Sequence, residues 1–185
     1  MGLASDSYAH LLGLYLGDGG LSRNGVTALR LSIACDAKYP RLVNEAAASV
    51  AAVLPVRVQR QDRPGCVRVE ATSVHWRCLF PQHGPGAKHQ RDIVLTPWQT
   101  RHVETCPGQF VRGLVNSDGC RAINRVGRYE YVRYQFSNRS EQLLELFNWG
   151  CSLVGVDARR SNRHTMSVSR RASVEILEDL VGPKS

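Results

Sequence analysis

Apolar and polar residues alternate with a period of two in "ALRLSIA", where Leu29, Leu31 and Ile33 point one way and Arg30, Ser32 and Ala34 the other. The alternation returns in "YVRYQFS": Val132, Tyr134 and Phe136 oppose Tyr131, Arg133, Gln135 and Ser137. Such a period belongs to a strand with one face buried. A helical segment follows each run, roughly 39–54 and 140–154. In the second, Leu143, Leu144, Phe147, Cys151 and Val154 recur at helical spacing. Two further strands come next. Val56 and Val58 alternate with Arg57 and Gln59, then Val67, Val69 and Ala71 with Arg68, Glu70 and Thr72. Later, Val156 and Ala158 oppose Asp157 and Arg159, and Met166 and Val168 oppose Ser167 and Ser169. The pattern predicts helix, two strands, helix, two strands, helix, stated twice. Each antiparallel sheet then has an apolar face for helices to cover and a polar, arginine-bearing face left open.

The segment ahead of each strand pair also repeats. "LLGLYLGDGG" (Leu11 to Gly20) and "VRGLVNSDGC" (Val111 to Cys120) share Gly-Leu, three residues, then Asp-Gly, and Asp118 stands 100 residues after Asp18. Gly13 and Gly17, matched by Gly113 and Ser117, lie four apart on one helix face. Glycine inside a helix costs up to about 1 kcal/mol relative to alanine. That cost predicts a compensating contact, with the two motif helices packed closely on each other. The glycine after each aspartate is expected to stop its helix in a left-handed conformation. A carboxylate at a helix C-terminus meets the wrong end of the helix dipole. Parallel helices would also bring Asp18 and Asp118 together, and like charges repel unless a cation lies between them. Carboxylates, backbone carbonyls and water form a hard-oxygen site suited to Mg²⁺. Such ions activate water and stabilise the leaving oxygen of a phosphodiester. A lone Asp-Gly is only a turn signal; recurrence after a small-residue helix and before a strand pair changes its meaning.

Charge points the same way. The 185 residues carry a net +8, and the basic side is nearly all arginine, with Lys38, Lys88 and Lys184 the only lysines. Arginine presents a planar fork of donors that suits phosphates and guanine edges. Residues 1–105 and 106–185 each hold 12 basic and 8 acidic side chains, a net +4 apiece. Two basic-faced sheets side by side would form a groove that a duplex could enter. No apolar run approaches the roughly 20 residues of a membrane span, and no secretory signal is visible at the start of the sequence, so a cytoplasmic protein is expected. The six cysteines contain no CxxC pair and are expected to be buried small residues rather than disulfides. Cys66, Cys78, His83 and His89 form one candidate zinc set, with spacing unlike the usual patterns.

"LLGLYLGDG" (Leu11 to Gly19) and "VRGLVNSDG" (Val111 to Gly119) resemble the nine-residue signature of the LAGLIDADG homing endonuclease family. Both keep Gly-Leu and the closing Asp-Gly. Leu16 and Asn116 stand where the family has an acid, and Arg112 takes a normally small apolar position, to be accommodated by facing away. The resemblance covers nearly the whole chain. It implies an α+β fold: two pseudo-symmetric αββαββ half-domains (1–105, including the inter-half loop, and 106–185), saddle-shaped antiparallel sheets, and signature helices at the interface. The implied activity is hydrolysis of both strands of a long DNA target by a monomer using divalent metal ions, Mg²⁺ with Mn²⁺ or Ca²⁺ as alternatives.

The same resemblance implies site roles. Asp18 and Asp118 would bind the ions with the backbone carbonyls of Gly17 and Ser117. Gln135 matches a polar residue near the scissile phosphates, with Ser32 its first-half counterpart. Lys88, in the loop "HGPGAKHQR", is the candidate basic residue completing the water network; the second half ends before any such loop and lacks the C-terminal helices of many members. By strand parity and turn position, DNA-facing candidates in the first half are Ser22, Asn24, Arg30, Ser32, Arg57, Gln59, Arg68 and Glu70. In the second they are Asn124, Tyr131, Arg133, Gln135, Arg159, Ser161 and Ser167. Three alternatives stay open: a DNA-binding regulator that reuses the fold without cutting, an RNA-splicing maturase, and a small zinc-stabilised interaction domain.

Overall fold

The computed structural model describes residues 2–182. The first half runs α1 (Ser5–Asp18), β1 (Gly19–Asn24), β2 (Ala28–Asp36), α2 (Pro40–Val53), β3 (Val58–Arg63) and β4 (Cys66–Ser73). Two helices outside the simple repeat follow, α3 (Trp76–Leu79) and α4 (Pro97–Thr105), with a single 3-10 turn at Lys88–Gln90 between them. The second half runs α5 (Pro107–Asp118), β5 (Gly119–Val126), β6 (Tyr129–Ser137), α6 (Glu141–Leu153), β7 (Arg159–Asn162), β8 (Thr165–Val168) and α7 (Arg171–Val181). The strands form two antiparallel sheets of identical order, β1-β2-β4-β3 and β5-β6-β8-β7. The fold is α+β in two matching halves, and the second ends on α7 alone among the described residues. No helix of the described residues is long and apolar enough to cross a membrane.

Helix α1 is the centre of the molecule. Every residue from Tyr8 to Leu16 is buried, as expected of a helix with partners on all sides rather than an amphipathic one. Its main partner is α5. A Cβ on Gly13 would stand 2.6 Å from Phe110 O and 2.9 Å from Gly113 Cα, and one on Gly113 would stand 3.0 Å from Gly13 Cα. Further along, a Cβ on Gly17 would run into the Ser117 side chain. These contacts step in the same direction on both helices, so they run parallel and bring Asp18 and Asp118 to one end. Arg112 leaves this seam and pairs with Glu45 on α2, which is how a large side chain sits in a small-residue position.

Gly19 and Gly119 correct one expectation. They are extended, with φ of −88° and −95°, not left-handed. Space, not backbone freedom, selects glycine here: a Cβ on Gly19 would stand 2.5 Å from Tyr15 Cα, and one on Gly119 2.6 Å from Val115 O. Each strand leaves its helix by folding directly over the last turn. Left-handed glycines occur at the hairpin tips instead, Gly25 (φ 82°) and Gly127 (φ 60°).

Helices cover the apolar sheet faces. Leu31, Ile33, Val69 and Ala71 pack with Val43, Ala46 and Val50 of α2; Tyr134, Phe136 and Val168 pack with Leu144 and Phe147 of α6 and Leu177 of α7. Phe136 and Phe147 stack at 4.4 Å between centroids. The sheets differ in extent: β4 pairs with β2 from Leu29 to Asp36, whereas β8 pairs with β6 only from Tyr134 to Ser137. Residues 129–133 of β6 therefore pair only with β5. The inter-half segment is fixed to α1 by buried amides. Gln99 Nε2 donates to Tyr8 Oη at 2.8 Å, Tyr8 Oη donates to Leu79 O at 2.7 Å, and Gln82 Nε2 donates to Gln99 Oε1 at 2.7 Å.

His10, 5% exposed on α1, shares a 2.8 Å hydrogen bond between Nδ1 and Ser49 Oγ. Burial lowers its pKa from 6.5 to about 4, with Arg112 adding to the shift and Glu45 opposing it; Asp6 lines the same cavity. The folded state thus disfavours the protonated ring. Stability present above pH 6.5 is lost as pH falls towards 4, by up to about 3 kcal/mol. Urea unfolding at pH 7 and pH 4.5 checks this: His10→Asn should lose less stability between the two than the unsubstituted protein, and equal losses would contradict it.

Candidate functional site

Opposed residues in antiparallel strands share a face, so the register fixes what each open face presents. In the first sheet Ser22 opposes Arg30, Ser32 opposes Glu70, and Glu70 opposes Gln59. Arg68 opposes Ala34 and Gln61. Asn24 donates from Nδ2 to Thr72 Oγ1 at 2.8 Å, and Arg57, just before β3, lines a cavity with Gln59 and Glu70. In the second sheet Asn124 opposes Tyr131, Arg133 opposes Ala122, and Gln135 opposes both Cys120 and Ser167. Arg159 opposes Ser167, while Ser161 occupies a register shift and donates to Thr165 O at 3.2 Å. All these candidates lie on or beside the polar faces. Glu70 differs from the rest in being 5% exposed: it lies beneath its neighbours rather than at the surface.

The two faces meet where α1 and α5 end. The position a Cβ on Gly17 would occupy is 3.0 Å from Asp118 Oδ2, so the second carboxylate lies against the backbone of the first helix's last turn. Asp118 Oδ2 accepts a 2.8 Å hydrogen bond from Asn138 Nδ2, and Asn138 Oδ1 accepts from Ser140 N. Asn138 was not legible as a site residue, because an asparagine just before a helix N-cap reads as a turn. By register its first-half counterpart is Cys35, whose thiol pKa is pushed up to about 12 by burial, with the nearby Asp18 charge adding to the shift.

Lys88 reaches this centre. Its Nζ donates to Tyr15 O at 2.6 Å, Leu16 O at 3.2 Å and Gly17 O at 2.7 Å, closing the C-terminal end of α1. It also lies 5.2 Å from the centroid of the Tyr15 ring. Burial lowers the Lys88 pKa from 10.5 to about 8; Asp118 and Asp18 oppose the shift and Arg91 adds to it. Arg91 holds the loop in place by donating to Gln82 O at 3.3 Å and Gly84 O at 2.8 Å. Beside Lys88 opens a cavity of about 460 Å³ lined by Gly17, His89, Ser137, Asn138, Arg139 and His164 among others. His164 and Arg139 carried no sequence signal beyond charge.

The cradle is one for hard cations. It offers two carboxylates and the carbonyls at the helix ends, and the half-buried Lys88 ammonium already lies against those carbonyls. A carbonyl oxygen has two lone pairs, so Gly17 O can hold Lys88 and still face an ion. Among the described residues no three His, Cys, Asp or Glu side chains gather to hold a metal. The zinc set is therefore not assembled: Cys66 opens β4, Cys78 is exposed on α3, and His83 and His89 are exposed in the loop. All six cysteines are free; Cys35 and Cys151 are buried, whereas Cys78 and Cys120 are exposed.

No protein-family model matches the chain, and no curated protein matches it in sequence. Solved structures match it in fold. The homing endonuclease I-DmoI in complex with DNA and Mn superposes with a TM-score of 0.62 at 15% identity, covering 97% of this chain and 98% of that one. The homing endonuclease I-WcaI bound to its DNA recognition sequence gives 0.56 at 10% identity, covering 100% of this chain and 84% of that one. The N-terminal LAGLIDADG domain of DUF199/WhiA gives 0.57 at 12% identity, covering 98% and 83%. The class is thus a protein of two αββαββ halves joined along a helix pair. In particular, this chain has the LAGLIDADG fold, with both halves in one polypeptide.

Proposed function

We propose that the protein is a divalent-metal-dependent endonuclease that cuts both strands of a specific DNA duplex. The observation that carries this reading is the placement of Asp18 and Asp118 at the adjoining ends of two parallel helices, with Lys88 against them and arginine-bearing sheets on either side. The fold neighbours crystallised with DNA and with Mn or Ca support it. One chain supplies both carboxylates, so a monomer suffices, and the unlike halves suit an asymmetric target.

Asp18, Asp118 and the carbonyls of Gly17 and Ser117 would hold Mg²⁺, which supplies water activation and stabilisation of the leaving oxygen. The chain's own residues do the rest. Asn138 fixes the orientation of the Asp118 carboxylate. Lys88 holds positive charge beside the carboxylates, where negative charge builds on the phosphate. Gln135, opposite Cys120 and so across from the residue two beyond Asp118, offers an amide to orient a water or a phosphate oxygen. The sheet faces bind and align the duplex.

Cutting selection on a randomised duplex library tests this. With Mg²⁺ a defined subset should be cut on both strands, and EDTA should stop the reaction. Duplex binding without cutting, in Mg²⁺ or Mn²⁺, would leave a DNA-binding protein and refute the endonuclease.

A further inference from the structure

Glu70 is an acid on a face that, in the proposed function, meets a polyanion. By charge alone it weakens DNA binding. Its side chain is 6% exposed, and it underlies Arg30, whose Nη1 lies 3.8 Å from Glu70 Oε2. Ser32 Oγ donates to Glu70 Oε1 at 3.2 Å, fixing the carboxylate from the neighbouring strand. The other guanidinium nitrogen of Arg30, Nη2, donates to Asn24 Oδ1 at 3.2 Å, and Asn24 is itself tied to Thr72 at 2.8 Å. Arg30 is therefore flanked from two sides, by Asn24 of β1 through a hydrogen bond and by Glu70 of β4 through an ion pair, while 42% of its side chain remains exposed.

We infer that Glu70 is a positioning residue that presets Arg30 to read a guanine, so that this position is read more strictly than the one facing Arg133 in the second half. The inference rests on the DNA-binding part of the proposed function. Nη1 meets Glu70 Oε2 as an ion pair at 3.8 Å, beyond hydrogen-bond distance, so Glu70 Oε2 makes no hydrogen bond and both Nη1 hydrogens stay available; Nη2 keeps one beside its bond to Asn24. Donors on both nitrogens are thus left for O6 and N7 of guanine in the major groove. A side chain already ordered in the free protein loses less entropy when it binds. A freely rotating arginine can turn to follow a phosphate, whereas the tether limits how far Arg30 can turn from the open sheet face.

The second half provides the internal comparison. Arg133 corresponds to Arg30 by register, and the place of Glu70 is taken by Ser167, which opposes Gln135 as Glu70 opposes Ser32. The Arg133 Nε is buried without a hydrogen-bond partner. No acid occupies the position beneath it, so its guanidinium is not preset in the same way.

The test is a binding selection on randomised duplexes with the full chain and no divalent metal, reading base preference at each position. Arg30→Ala should flatten one guanine position, where the unsubstituted protein discriminates by about tenfold or more. Glu70→Gln should reduce discrimination at that same position to about threefold or less, leave the position flattened by Arg133→Ala unchanged, and keep the melting temperature within a few degrees. If Glu70→Gln unfolds the protein, Glu70→Asp serves, since the shorter acid draws Arg30 aside and weakens the same position. An unaltered guanine preference, or an equal loss of affinity for every sequence, overturns the inference while leaving DNA binding intact. Failure of the unsubstituted chain to bind any duplex overturns the proposed function together with it.

Discussion

Under the proposed function, Asp118→Asn should lower the rate of DNA cutting by about a hundredfold to a thousandfold while duplex affinity changes little. The substitution keeps the shape of the side chain and its contact with Asn138, but it removes the negative charge needed to hold a divalent ion. Loss of several kcal/mol of transition-state stabilisation corresponds to that range of rates. Binding should survive, because the proposed function places the affinity on the sheet faces, away from the helix ends. Asp18→Asn should act alike, because the two carboxylates share one centre. The measurement is single-turnover cutting of the selected target beside a binding isotherm for each variant. Cutting at the original rate by both variants would remove the shared-carboxylate mechanism, and parallel loss of cutting and binding would make the aspartates structural.

Gly113→Val should destabilise the protein by about 3 kcal/mol, at the upper end of what overpacking costs. A Cβ at this position collides with His10 O and stands 3.0 Å from the backbone of Gly13. Neither obstacle is a side chain that could rotate aside, so α1 and α5 must separate. Separation also moves Asp118 away from Asp18. Cutting should therefore fall by more than the folded fraction accounts for, which urea titration and single-turnover rates together would reveal. An unchanged unfolding midpoint would mean that the helices do not pack through these glycines.

Much of the architecture could be read from period alone. The two-residue alternation in 29–34 and 131–137 and the helical spacing after each located both sheets and their covering helices. Parity also placed Arg30, Ser32, Arg133 and Gln135 on the open faces, because a strand offers only two sides. The glycines of the motif were legible for a physical reason too: a helix interior carries glycine at a cost, and Gly13 and Gly113 meet backbone to backbone. The glycine after each aspartate was misread. Gly19 and Gly119 are extended, and what excludes a Cβ is the last turn of their own helices, a crowding that depends on where the next strand goes.

The site was legible at its centre and not in its support. Repetition drew attention to Asp18 and Asp118. Lys88 entered through resemblance, because a loop lysine 71 residues from Gly17 has no periodicity to place it. Asn138 was hidden by its place ahead of an N-cap. Glu70 followed strand parity onto the open face, yet its burial comes from neighbours on other strands, Arg30 paired with it among them. Such roles depend on which side chains from other strands converge, and local sequence carries no record of that.

The short reach of β8 has a mechanical consequence. Over residues 129–133 the β5–β6 hairpin is a ribbon held by a single ladder of hydrogen bonds, whereas in the first half β4 braces β2 from Leu29 to its end at Asp36. A two-stranded ribbon resists bending and twisting far less than a four-stranded sheet. One end of the saddle is therefore a stiff template and the other a compliant finger. A duplex seated across both would have to match the curvature of the first, while the second could follow whatever curvature the duplex brings.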